Sequence, residues 1–147
     1  MDTQQHIVKS FDQEINDLNA RITRMGEICG RQLENAVNAL KTMDTEQARQ
    51  IIDADADLNR RYADLEDAGV KLLARRQPVA VDLRYLLSVL RTGVELERIG
   101  DYAASIAKRV IELTDNSFNE VVDLIEEIAT ICREMLKEVI KAYVDQD

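Results

Sequence analysis

A single proline, Pro78, interrupts a chain whose apolar residues otherwise recur every three or four positions. That combination leaves room for little but long helices. From residue 4 to 42, Phe11, Ile15, Leu18, Ile22, Met25, Cys29, Leu33, Ala36, Val37 and Leu40 form one continuous stripe. Residues between them are mostly Ala, Glu, Asp, Lys, Arg and Gln, and there are only five glycines and no tryptophan. Good helix formers fill the faces that packing does not decide, so the fold class expected is all-α with no strands.

The breaks divide the chain into four helices. Asp44 follows Met43 and is placed to accept hydrogen bonds from the free amides of a helix that begins beside it, with Gln47 at the third position. Helix 2 is then expected to run to about Arg76. Proline disfavours helix at Gln77 and suits a first helical turn, which predicts helix 3 from Pro78 to about Leu113, with Asp82 complementing its dipole. Ser117 and Glu120 have the spacing of a capping box and announce helix 4. Short connections predict consecutive helices as antiparallel neighbours in a bundle. Gly26 and Gly30, one turn apart, weaken helix 1 but allow a neighbouring backbone close to it.

Charge narrows the partners. A formal net charge of -9 and a pI near 4.7 repel phosphate backbones and anionic lipid, which argues against nucleic acid and bare membrane and leaves cations and basic protein surfaces. The opening MDTQQHIVKSFDQE lacks the basic flank and apolar core of a signal peptide, and no uncharged apolar run approaches the ~20 residues a membrane span requires. A cytoplasmic location without direct membrane insertion is therefore expected. Cys29 and Cys132 are too few and too far apart for a disulfide framework or a four-ligand zinc site and read as reduced, semi-buried thiols. His6 reads as a polar surface residue.

Residues 25–44 and 128–147 share their apolar pattern throughout when laid over one another. Identities go beyond periodicity: Ile28 with Ile131, Cys29 with Cys132, Leu33 with Leu136, Ala39 with Ala142 and Asp44 with Asp147. The expected organisation is a three-helix bundle over residues 1–115, followed by 116–147 as the first helix of a second, incomplete repeat. Helix 4 would then present Ile128, Ile131, Cys132, Met135, Val139 and Ile140 to a partner, and a homodimer through this helix is expected.

Carboxylates appear where apolar residues belong. The stripe Ile51, Leu58, Tyr62, Leu65, Gly69, Leu72 of helix 2 includes Asp55, with Asn59 one turn on. In helix 3 the stripe Leu83, Leu87, Leu90, Val94 turns acidic at Glu97 and Asp101, while a second stripe through Tyr85, Val89, Leu96, Ile99, Ala103, Ile106 and Val110 continues. Folding helices 2 and 3 about Gln77 sets Glu97 opposite roughly residue 57 and Asp101 opposite roughly residue 53, level with Asp55 and Asn59. Such a group must stay wet, take up protons or share a cation. Oxygen-only ligands suit Mg²⁺, Mn²⁺ or Ca²⁺, and carboxylates with water also hold iron. The other reading has these acids on a hydrated edge, paired with Arg60, Arg61 or Arg98. Asp53, Asp57, Asp64 and Asp67 read as a solvated face.

Two motifs, Leu73-Ala-Arg-Arg-Gln-Pro-Val-Ala-Val-Asp-Leu-Arg84 and Leu96-Glu-Arg-Ile-Gly-Asp101, in that order, resemble the PhoU family. His6-Ile-Val-Lys-Ser-Phe-Asp12 followed by Met25-Gly26 is similar to the family's first helix. The resemblance implies two similar three-helix bundles, of which this chain would hold the first and the opening helix of the second. It also implies metal motifs of the form E/D-x-x-x-D. Glu97-Arg-Ile-Gly-Asp101 matches fully, and Asp55-Ala-Asp-Leu-Asn59 matches with Asn at its end. The candidate ligands are accordingly Asp55, Asn59, Glu97 and Asp101, with Mg, Mn or Fe as the ion. The implied role is negative regulation of phosphate uptake and phosphate-starvation signalling through a phosphate ABC transporter and a sensor histidine kinase. An enzyme of the di-iron carboxylate kind would call for Glu-x-x-His pairs, which the sequence lacks. A metal-independent helical adaptor is the remaining alternative.

Overall fold

Four helices carry the fold in the computed structural model, which describes residues 2–113 and 119–145, with side chains described over 11–113 and 121–145. They are α1 (Asp2–Thr42), α2 (Thr45–Arg76), α3 (Ala80–Glu112) and α4 (Asn119–Asp145). No strand occurs among the described residues. His6 lies outside the described side chains, and the Ser117/Glu120 capping box falls in the same category.

Asp44 caps α2 as its position predicts. Its side chain accepts from the amides of Glu46 at 3.0 Å and Gln47 at 2.9 Å, an arrangement that stabilises a helix start by about 1 kcal/mol. The α2/α3 turn departs from expectation. Pro78 is not in the first turn of α3, because Val79 is still extended (φ -119, ψ 155) and the helix begins at Ala80. Proline excludes right-handed helical geometry at Gln77, which instead takes left-handed angles (φ 46, ψ 54) and returns its N–H to the Leu73 carbonyl. Ala80 also has positive φ. The turn is three residues wide rather than a point at Gln77, and this shifts the register of the hairpin.

The core lies between α1, α2 and α3. Leu18, Ile22, Met25 and Cys29 meet Leu58, Leu65 and Leu72 and Leu86, Val89 and Leu96. Towards the α1/α2 turn the side chains shrink to Ala36, Ala39, Ala48, Ala103 and Ala107, with Leu40, Ile51 and Val110. Of the two stripes on α3, the one through Val89, Leu96, Ala103 and Val110 forms the core, whereas Leu87 and Val94 are 42% and 38% exposed. Glycines explain the choice. Gly93 and Gly100 let Leu65 and Leu58 of α2 close onto the α3 backbone, so the buried face centres on the glycine side.

The fourth helix corrects a second expectation. Instead of lying beside α3 it runs antiparallel along α1, reaching α3 through side chains at its two ends, where Val122 and Ile125 pack against the core patch that holds Val110 and Tyr143 stacks on Tyr85. The glycines of α1 make the track: Ile140 sits where a Cβ at Gly26 would be 2.8 Å from its Cδ1, and Leu136 faces Gly30. Ion pairs Lys41–Glu126 (2.6 Å) and Arg133–Glu34 (3.0 Å) line the seam. At its far end Asn19 Oδ1 accepts from both Tyr85 Oη (2.8 Å) and Tyr143 Oη (2.7 Å), and the two rings stack with centroids 6.2 Å apart. Burial, with the Tyr85 hydroxyl close by, raises the Tyr143 phenol well above its ordinary value. Ile140, expected on the open face, is therefore packed.

Because one amide oxygen serves two hydroxyls, Asn19→Ala strands both tyrosines. A loss of about 1–3 kcal/mol is expected, with α4 becoming susceptible to limited proteolysis ahead of α1–α3. Thermal melting and peptide mapping of the digest measure both.

Candidate metal site

Direct contacts fix the α2/α3 register. A Cβ at Gly69 would meet Leu90, one at Gly93 would meet Leu65, and one at Gly100 would meet Leu58 at only 2.1 Å. Glu97 therefore stands opposite residue 61 and Asp101 opposite residue 57, one turn nearer the loop end of α2 than a fold about Gln77 gives. The wider turn causes the shift. Asp55 remains within a turn of Asp101 and Asn59 within a turn of Glu97, so the four residues still gather on one side of the α2/α3 seam.

Electrostatics show the gathering. The Asp55 carboxyl is raised above its ordinary value first by desolvation, then by the charge of Asp101, against a lowering hydrogen bond from Asn59 and the charge of Lys108. Glu97 is raised by desolvation, then by Asp101 and Asp55, with Arg98 acting weakly the other way. Three carboxylates thus repel one another across two helices. Asn59 Nδ2 donates to Asp55 Oδ2 at 3.4 Å, while Asp55 Oδ1 is buried without a hydrogen-bond partner.

The arginines nearest this patch are engaged elsewhere. Arg60 pairs with Asp57 and Arg61 with the same Asp57 at 2.7 Å. Arg98 binds Glu95 at 3.1 Å and reaches Tyr102. Among the described residues, no lysine or arginine is ion-paired with Asp55, Glu97 or Asp101. Asp57 and Asp67 belong to i,i+3 or i,i+4 surface pairs, in keeping with a solvated face.

Donor chemistry fits a hard cation: only carboxylate and amide oxygens are at hand, and one carboxylate oxygen is buried without a partner. The side chains as they stand do not converge, because no three His, Cys, Asp or Glu groups among the described residues are close enough together to hold one ion. Asp101 is exposed and Glu97 half-buried, so closing around an ion needs rotation of two side chains that have room to turn.

Cys29 lies just beneath. Fully buried, it donates its S–H to the Leu96 carbonyl at 3.0 Å, and burial pushes the thiol up to about 12. It is an inert core residue. Cys132 is exposed on α4, so the expected pair of semi-buried thiols is in fact one of each extreme. Gln32, which lies outside the apolar stripe of α1, is 7% exposed and its Oε1 is also buried without a partner. Its signal in the sequence was a polar residue between Cys29 and Ala36 on the core face of α1.

Comparison with known proteins agrees with this architecture. Residues 22–110 match the PhoU domain family. A phosphate-specific transport system accessory protein PhoU homolog of Caulobacter vibrioides is 34% identical over 144 residues, covering 97% of this chain and 63% of that protein. A Pseudomonas aeruginosa homolog of the same description is 37% identical over 110 residues, or 75% of this chain and 46% of the relative. The crystal structure of PhoU from Pseudomonas aeruginosa superposes with a TM-score of 0.83 at 31% identity, covering 93% of this chain and 66% of that one. For the phosphate transport system regulatory protein PhoU from Streptococcus pneumoniae the TM-score is 0.85 at 29% identity, covering 93% and 64%. The chain thus spans between 46% and 66% of the length of these relatives. With the matched domain extending over most of three packed helices and the fold shared nearly end to end, the chain belongs to the PhoU family.

Proposed function

We propose that this chain is a cytoplasmic negative regulator of phosphate uptake and phosphate-starvation signalling, working by protein binding rather than catalysis. Asp55, Asn59, Glu97 and Asp101 hold a Mg, Mn or Fe ion in this reading. The observation that carries it is the acidic face at the α2/α3 seam, where no described lysine or arginine is ion-paired with Asp55, Glu97 or Asp101 and the nearby arginines pair with other acids. A bound cation would remove the repulsion and fix the two helices in register. Its relatives are phosphate transport accessory proteins by name, and no described helix is long and apolar enough to cross a membrane. The phosphate ABC transporter and a sensor histidine kinase are the partners assigned.

The fourth helix supplies the assembly surface. Leu124, Ile128, Ile131, Met135 and Val139 are each more than half exposed. In the internal repeat, Ile128, Cys132, Met135 and Val139 correspond to Met25, Cys29, Gln32 and Ala36, the core face of α1. On this reading α4 opens a second unit of the α1 kind, and a second copy covers its apolar face in a homodimer.

The test is complementation. In a bacterium lacking its own PhoU and carrying a phosphate-starvation reporter, the native chain is expected to lower reporter expression in phosphate-rich medium, and a Glu97→Ala/Asp101→Ala chain at equal abundance is expected not to. Equal repression by both would remove the acidic face from the function. No repression by either would remove the regulatory role.

A further inference from the structure

Helix α3 carries more apolar surface than the bundle uses. Its stripe through Leu83, Leu87, Leu90 and Val94 lies outside the core, with Leu87 and Val94 exposed. On α2, Val70 follows the glycine that Leu90 covers and is more than half exposed, and at the turn Val79 and Val81 are 74% and 75% exposed. The fourth helix packs on α1 and leaves this outer side of the hairpin open.

Arginines edge the stripe. Arg84, Arg91 and Arg98 recur every seven residues, and each is three or four positions from Leu87 or Val94, which makes them neighbours on the helix surface. All three are exposed. Arg98 pairs with Glu95 on its own helix, whereas Arg84 and Arg91 have no ion-pair partner among the described residues.

The open stripe of α4 is edged with the opposite charge. Leu124, Ile128, Ile131, Met135 and Val139 are bordered by Glu127, Glu134 and Glu138, each three or four positions from a stripe residue. These glutamates are exposed, and none has an ion-pair partner among the described residues. Glu127 and Glu134 are seven residues apart, as are Arg84 and Arg91, a separation of about 10.5 Å along either helix. Two glutamates of α4 can therefore meet two arginines of α3 in a single register.

The internal repeat points to the shape of the cover. Ile128, Cys132, Met135 and Val139 correspond to Met25, Cys29, Gln32 and Ala36, a face that α1 buries under the α2/α3 hairpin. A hairpin is thus the cover that the pattern of α4 fits, and the outer side of a second copy's hairpin is apolar and open. A second α4 would bring another glutamate edge in place of the arginine row.

We propose that in the homodimer the apolar stripe of α4 docks on the outer side of the second copy's α2/α3 hairpin, with Glu127 and Glu134 meeting Arg84 and Arg91. The contact is made twice, α4 of each copy on the hairpin of the other, so the assembly closes at two copies. This rests on the homodimer reading above and adds which surface of the second copy α4 meets. Because the stripe of α3 turns acidic at Glu97, the contact lies on the half of the hairpin nearer the turn, which keeps the glutamates of α4 away from Glu97 and Asp101.

Sedimentation equilibrium on the full chain tests it, with Arg84→Glu/Arg91→Glu, Glu127→Lys/Glu134→Lys and an equimolar mixture of these two variants beside the native protein. The native chain is expected to dimerise. Each variant alone sets like charges against one another at both contacts, and its dimer is expected to be at least about tenfold weaker. In the mixture a hairpin bearing glutamates meets an α4 bearing lysines, while the other contact is native, so association is expected to return to the native strength. Native-strength dimers of Arg84→Glu/Arg91→Glu would overturn the inference and leave the homodimer standing, because an α4-to-α4 pair does not use those arginines. A mixture that associates no more tightly than either variant alone would also overturn it. A native chain that stays monomeric overturns both readings.

Discussion

Leu58→Ala is expected to destabilise the chain by about 2–5 kcal/mol, near the top of the range for a buried leucine. Leu58 is fully buried where α1, α2 and α3 meet, and its Cδ2 fills the space a Cβ at Gly100 would need, 2.1 Å away. The same contact makes Gly100→Ala unfavourable. Alanine gains about 1 kcal/mol in intrinsic helix propensity, but Leu58 has no solvent to swing into, and a net loss of about 1–3 kcal/mol follows from overpacking. Combining the substitutions removes one of the two colliding groups. The double variant is therefore expected to be more stable than the sum of the single losses implies, by about 1 kcal/mol or more. Urea melts of the four proteins measure the cycle, and strict additivity would mean the two helices do not touch there.

This packing matters to function because it sets the acids. Asp55 lies one turn before Leu58 on α2, and Glu97 and Asp101 bracket Gly100 on α3. Loosening the α2/α3 seam at that level is expected to weaken cation binding without touching a ligand.

A second large effect is the coupling of cation and proton to stability. Asp55 and Glu97 both have carboxyls raised in the folded state, Asp55 by Asp101 across the seam and Glu97 by Asp101 on its own helix and Asp55 across it, after the desolvation that leads in each case, with Lys108 and Arg98 as the nearby positive charges. A raised carboxyl binds its proton more tightly when folded. Its contribution to stability is therefore intact below the ordinary carboxylate range, declines as pH rises through that range to the raised values, and is lost above them. As pH rises from the ordinary carboxylate range towards neutrality, the metal-free native chain is expected to lose more melting temperature than Glu97→Ala/Asp101→Ala does. Mn²⁺ at about 100 times its dissociation constant adds about 2.7 kcal/mol, or about 5–10 °C, and its effect is larger at the higher pH because protons no longer compete. Identical pH profiles for the two proteins would show that the acids do not interact.

The helical class, the three breaks, the Asp44 cap and the side of the bundle on which the acids gather follow from residue spacing alone. Local rules sufficed because the apolar residues recur at helical spacing throughout and the connections are short. Three features did not follow. The start of α3 depends on strained angles at Gln77 and Ala80, which intrinsic preferences oppose, so the hairpin register was one turn off. The seating of α4 on α1 depends on which grooves are free: Gly26 and Gly30 announce a close neighbour in the sequence without saying which helix it is. Choice between the two stripes of α3 had the same cause, since Gly93 and Gly100 decide it only once Leu65 and Leu58 are known to face them. For the site, Asp55 stood out as a charge in an apolar stripe, whereas Gln32 becomes conspicuous only when its oxygen is seen to have no partner.

A calorimetric titration of Mn²⁺ into the native chain and into Glu97→Ala/Asp101→Ala tests the central claim most directly. The acidic seam predicts saturable binding to the native protein and affinity at least about a hundredfold weaker in the variant, with the variant still folded and no less stable without metal. Equal heats for the two proteins, or none for either, would contradict it.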